Sequence, residues 1–263
     1  MPGTILVREA LRRVSVLLMD IDPQFTKHPE SELVDFLNDG ALSIITYLPT
    51  ANARVDSLRL RPGVLQGLES VATTHLKQED GSDPSEAVRG VSLQAVLANM
   101  GADGLTPGRA VRLLDRRELD TAEPLWMAAT PATAIKGYVY DPLRPLHFEV
   151  TPPVHASTQV WARIAWSAQP ARLPAGAPGS ELYPAGGSGG AVIPLRDEFC
   201  EPLVNYIVAR AVMKESEWAD AEKAAVFGNL FLSWLNAKVK ITTGTSPNLK
   251  RLPFSPEPIG AAS

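Results

Sequence analysis

The sequence predicts an α+β fold: a helical bundle formed by the N- and C-terminal helices, an antiparallel β domain between them, and an extended C-terminal tail. Three observations predict it. Apolar residues recur at helical spacing over residues 1–52 and again over 195–238. Over residues 53–168 the period drops to two, with turn residues between the runs. Beyond Lys238 no apolar period survives among Pro247, Pro253, Pro256 and Pro258.

The elements follow in order. Val7, Leu11, Val14 and Leu18 lie on one helical face, with Arg8, Glu9, Arg12 and Arg13 opposite. Pro23 interrupts the pattern, and Pro29 suits the first turn of a second helix, where its missing N–H costs nothing. Leu33, Leu37, Ile44, Ile45 and Leu48 form that helix's apolar stripe. Leu58 and Leu60 then alternate with Arg59 and Arg61, as in a half-buried strand. Residues 69–90 contain QEDGSDPSE and read as an exposed, mobile insertion. Strand-like runs follow at 93–97 and 110–114, with a helical turn at 116–121. Residues 135–168 predict two consecutive hairpins, with turns at Asp141-Pro142 and at Pro152-Pro153. Residues 169–194 are a Pro/Gly-rich loop.

Two helices close the fold. Phe199, Leu203, Ile207 and Ala211 form the stripe of the first. In the second, Ala221, Ala225, Gly228, Leu232 and Leu235 make a small-residue seam suited to close packing inside the subunit. Phe227, Leu230, Phe231 and Trp234 lie largely away from that seam and need a further partner, either the sheet or a neighbouring subunit. Phe227, Phe231 and Trp234 are therefore the candidate subunit-interface residues. The tail, 239–263, has a reach on the order of 80 Å at about 3.3 Å per residue.

Composition narrows the function. The formal net charge of −4 argues against a protein whose main task is gripping phosphates. No apolar run reaches the roughly 18 residues that cross a bilayer, and MPGTILVREALRR carries charge where an export signal needs an apolar stretch. Cys200 is the single cysteine, so no internal disulfide forms and a reducing compartment is expected.

Catalytic chemistry is not expected. GGSGG around Ser188 matches a nucleophile motif, but Pro184 and Pro194 leave no strand before it or helix after it. His28, His75, His147 and His155 show no metal-ligand spacing, and Asp20 and Asp22 beside Pro23 read as turn chemistry. Asp115, Arg116, Arg117, Glu118 and Asp120 read as a solvated charged face. The five tryptophans read as core or interface anchors, and Cys200 as buried and inert. Neither a cofactor nor a metal is expected. A phage-encoded enzyme, such as a wall hydrolase, and a nucleic-acid-binding module stand as the alternatives.

Four segments carry a resemblance: ELVDFLNDGALSIITYLPTAN (32–52), LANMGADGLTPGRAVRLLDRRELD (97–120), GYVYDPLRPLHFEVTPPV (137–154) and RDEFCEPLVNYIVARAVMKESEW (196–218). In that order they resemble the tailed-phage head–tail adaptor (connector) proteins related to tail tubular protein A of short-tailed phages. The insertion at 69–90 and the loop at 169–190 depart from that pattern. The resemblance implies a structural protein in a homo-oligomeric ring of about twelve. Its partners would be the portal protein and the tail nozzle or tube, with DNA passing through without specific binding and no membrane involved. It implies a place in the virion neck, with assembly in the host cytoplasm. It also implies portal docking by the tail, where Leu249, Lys250, Arg251, Leu252, Phe254 and Ile259 are the candidate contacts.

Overall fold

The computed structural model describes residues 4–20, 27–174, 191–214 and 219–245. The chain divides into two compact units, one of Met1–Gly40, Leu173–Ile193 and Asp197–Ser263, the other of Ala41–Arg172 and Pro194–Arg196. Among the described residues there are five α-helices: α1 (Val7–Leu18), α2 (Glu30–Tyr47), α3 (Arg116–Ala122), α4 (Cys200–Met213) and α5 (Ala221–Thr245). The first unit holds α1, α4, α5 and the start of α2, whose remainder belongs to the second.

The helical unit is built on the predicted stripes. Val7, Leu11, Val14 and Leu18 of α1 join Leu33, Val34 and Leu37 of α2 and Val204, Ile207 and Ala211 of α4 in one core. Gly40 sits mid-helix, where glycine costs roughly 1 kcal/mol relative to alanine. A Cβ there would stand 2.8 Å from Tyr206 Cδ1 and 3.2 Å from Leu203 Cδ2, so the close approach explains the residue. Three bonds gather four helix ends. Lys223 Nζ donates to the Leu17 carbonyl at 2.7 Å, Lys214 Nζ meets Glu32 Oε2 at 2.8 Å, and Asp220 N donates to the Val212 carbonyl at 3.0 Å. Asp220 also caps α5 by accepting from Lys223 N at 2.9 Å.

The chain's start is fastened to the approach to α4. Asp197 accepts from the Thr4 hydroxyl and amide, both at 2.6 Å, and from Ile5 N at 3.0 Å. Those donors, the hydroxyl foremost, hold its carboxyl below the usual range. Leu6 bridges Val192, and Asn38 pairs through both side-chain amide atoms with the Leu173 backbone at 2.9 Å. Both flanks of the Pro/Gly-rich loop are thus tied to the helical unit, while 175–190, Ser188 included, lies outside the described residues.

Helix α5 runs seven residues past Lys238, so residues 239–245, expected as extended tail, are helical. A helix already nucleated extends cheaply, and Pro247 is the first residue that forbids it.

The second unit carries nine strands: β1 (Ala53–Arg59), β2 (Gly63–Gly67), β3 (Leu76–Lys77), β4 (Gly90–Met100), β5 (Pro107–Ala110), β6 (Arg112–Leu113), β7 (Gly137–Tyr140), β8 (His147–Val154) and β9 (Trp161–Ala168). They form two sheets, ordered β3-β1-β9-β4-β5 and β2-β8-β7-β6, antiparallel except for the β6–β7 pair. Leu58, Val96, Ile164 and Trp166 of the first share a core with Tyr138, Phe148, Val150 and Val154 of the second, as in a sandwich.

Three expectations change here. The β7–β8 hairpin forms, but β9 leaves for the other sheet, where it pairs with β1 from Trp161 to Ser167. Pro152-Pro153 is no turn, because β8 runs through both prolines. The neighbouring carbonyls of Thr151 and Pro153 still accept from Lys136 N and Ala132 N, so the missing prolyl N–H groups cost little. The insertion at 69–90 is anchored by buried Val71 and Leu76 and supplies edge strand β3, with exposure concentrated at its tip.

Candidate interaction surface

Helix α5 carries an exposed apolar surface that the helical core leaves uncovered. Its inward face is Ala224, Phe231 and Leu235, all buried. Phe231 lies 5.1 Å from Tyr206 between ring centroids, and Trp234 meets Phe199 edge-on at 5.4 Å. Lys238 pairs with Glu198 and stands 5.9 Å from the centre of the Trp234 ring. Away from that face apolar residues are exposed: Val226 at 52%, Leu230 at 49%, Leu232 at 45% and Ile241 at 59%.

The expected small-residue seam is therefore not the packed face. Ala221, Ala225 and Leu232 are exposed, and a Cβ added at Gly228 would find no atom within 4 Å. Leu235 alone of that set is buried. The physical reason is size, since burying a large apolar side chain yields roughly 1.5–3 kcal/mol and small residues far less. Phe231 and Leu235 decide which side turns inward.

Of the three candidate interface residues, Phe231 is only 5% exposed, and Phe227 and Trp234 keep part of their surface. Phe227 packs against the helical core. The structure brings the three onto one helix but aims Phe231 at its own subunit. Val226 and Leu232, which the sequence reading did not select, are more exposed than any of them. The signal that finds Val226 is its spacing with Leu230, Ala237 and Ile241, a second apolar arc at helical period, while Leu232 lies on the seam read as internal. The docking candidates Leu249, Lys250, Arg251, Leu252, Phe254 and Ile259 lie outside the described residues.

A second exposed apolar group surrounds the gathered helix ends, with Val16, Met19 and Met213 all more than half exposed. Buried polar groups lie beneath it. Asp20 accepts from the amides of Lys27 and His28 at 3.0 Å each, which is turn chemistry as its sequence setting suggests. Glu30 is buried with one carboxyl oxygen lacking a hydrogen-bond partner, and burial pushes its carboxyl up. Burial also lowers the His28 imidazole, against the pull of Asp20 and Glu32.

Elsewhere the titratable groups serve the fold. Burial raises the Cys200 thiol despite Arg13 nearby. Asp56 is likewise raised by burial, and is held by Arg54 Nε at 3.0 Å and Trp166 Nε1 at 2.8 Å. In the mixed charge cluster, Asp115 caps α3, Arg116 meets Glu149 at 3.0 Å, and Asp120 accepts from buried Trp126 at 2.7 Å. Among the described residues no group of three His, Cys, Asp or Glu side chains has metal-holding geometry. None of the described helices is long and apolar enough to cross a membrane.

The family model described as SU10 adaptor protein matches residues 6–251. No curated protein matches the chain.

Proposed function

Because the chain belongs to the SU10 adaptor protein family, a family of phage structural adaptors, we propose that it forms a homo-oligomeric ring in the virion neck, between the portal and the tail nozzle or tube. The observation that carries this reading is the family match over residues 6–251, which includes every described helix and the whole β sandwich. The ordered segments shared with connectors of the tail tubular protein A type support the same position. The protein acts by shape and contact rather than by catalysis: each copy offers exposed apolar helix surface to neighbours, and its C-terminal segment docks on the portal. DNA passes without being held. The mild net negative charge suits a conduit, since a strongly basic wall would bind its cargo.

Cryo-electron microscopy of the virion neck, with an antibody against this chain to locate it, tests the proposal. The expected result is a closed ring of this fold directly below the portal. Finding the chain in a fibre or in the capsid shell, or not in the particle at all, overturns it.

A further inference from the structure

We infer that α5 is the stave from which the ring's wall is built, and that the partner for its large apolar flank is the small-residue flank of α5 in the next copy. This rests on the ring reading and adds which surfaces close it. Three strips run along the outside of α5. Val226, Leu230 and Ala237 form the first, while Ala221, Ala225, Gly228 and Leu232 form the second. Between them lie Glu222, Asn229, Ser233, Asn236 and Lys240, all exposed.

At about 100° per residue the two apolar strips are centred about 150° apart across the polar one. Staves in a closed ring meet their two neighbours at an angle of 180° less the rotation per copy, which is about 150° for twelve and about 120° for six. The polar strip then faces the lumen, and the buried face of Phe231 and Leu235 points outward, where α4 packs. The two flanks differ as knobs and holes do. The open space over Gly228 receives a side chain the size of Leu230 or Val226, and such unlike faces repeat head-to-tail around an axis. The lumen strip carries one acid and one base over five residues, so it attracts DNA weakly.

The size of the seam sets its behaviour. From Val226 to Ala237 α5 rises about 17 Å, giving a contact of a few hundred Å², well under the roughly 800 Å² per partner of a stable interface. Isolated chains therefore stay monomeric, and the ring closes where a template holds the copies together.

Thiol crosslinking in assembled particles tests the geometry. A chain carrying both Leu230→Cys and Gly228→Cys, treated with a short bis-thiol reagent, should give a ladder rising towards about twelve copies, while either substitution alone should not. An amine-reactive crosslinker on the same particles reports the ring independently. If amines ladder but the double-cysteine chain does not, or each single variant ladders equally well, the stave geometry is wrong and the ring stands. If neither reagent gives a ladder, the ring reading itself fails.

Discussion

His28 and Glu30 lie two residues apart at the start of α2, both buried, and they respond to pH with opposite sign. Burial lowers the His28 imidazole below its ordinary 6.5, and Lys214 and Lys27 add to this, while Asp20 and Glu32 oppose it. A depressed folded-state value means stability present above 6.5 and lost as pH falls through the lower folded value. Burial raises Glu30 above 4.5, so its contribution is present below that value and lost as pH rises through the folded one. Thermal melts of His28→Gln should therefore fall less steeply than wild type between neutral and mildly acidic pH. Glu30→Gln should raise the melting temperature at pH 7.5 and lose that advantage on acidification. Equal pH slopes for wild type and His28→Gln would remove histidine from the account. Gly40 makes a steric counterpart. Gly40→Ala gains about 1 kcal/mol of helix propensity, but the overpacking against Tyr206 and Leu203 costs about 1–3 kcal/mol. A lower melting temperature is expected, and a higher one would show that Tyr206 yields freely.

Among the elements, those with one strong pattern were legible, and those whose neighbours decide were not. The stripes of α1, α2 and α4 announce their buried faces, because a single apolar arc leaves one way to turn. The α5 sequence carries two arcs, and only the fit of Phe231 against Tyr206 selects the inner one. The sandwich was hidden for a similar reason: β8 and β9 both alternate, and alternation does not say which sheet a strand joins. Asn99 shows what pattern reading overlooks. At the bulge in the β4–β5 pairing, its side chain donates to the carbonyls of Ile135 at 2.8 Å and Arg109 at 3.1 Å, and accepts from Ile135 N at 2.8 Å. It thereby pins the approach to β7 against the edge of the other sheet. Asn99→Ala leaves the buried amide and carbonyl of Ile135 unpaired at roughly 1–3 kcal/mol each, so about 2–6 kcal/mol is expected. Chemical denaturation with tryptophan fluorescence measures it, and a loss under about 1 kcal/mol would mean that water replaces the amide.

At the scale of the whole molecule, the C-terminal segment is where the sequence says most about a partner. Helix α5 stops at Thr245, and residues 246–263 follow it, with Pro247, Pro253, Pro256 and Pro258 spaced among Leu249, Leu252, Phe254 and Ile259. Prolines restrict the free chain, so docking such a segment loses less entropy than docking a glycine-rich one, and the four apolar residues are spaced to enter separate pockets. Lys250 and Arg251 add charge that an acidic portal surface would match. Deleting residues 246–263 should therefore leave the melting temperature within about 2 °C of the full chain, since a segment with four prolines and no apolar period is not expected to build a core. The same deletion should abolish co-sedimentation with portal-bearing heads. Replacing Leu252 and Phe254 with serine should weaken binding through lost apolar contact at any salt, whereas Lys250→Ala with Arg251→Ala should matter mainly at low ionic strength, where unscreened charges act over about 10 Å or more. If the truncated chain binds heads at full occupancy, the portal contact lies in the helical unit, where Val16, Leu17, Met19, Val192 and Met213 are exposed apolar residues outside α5.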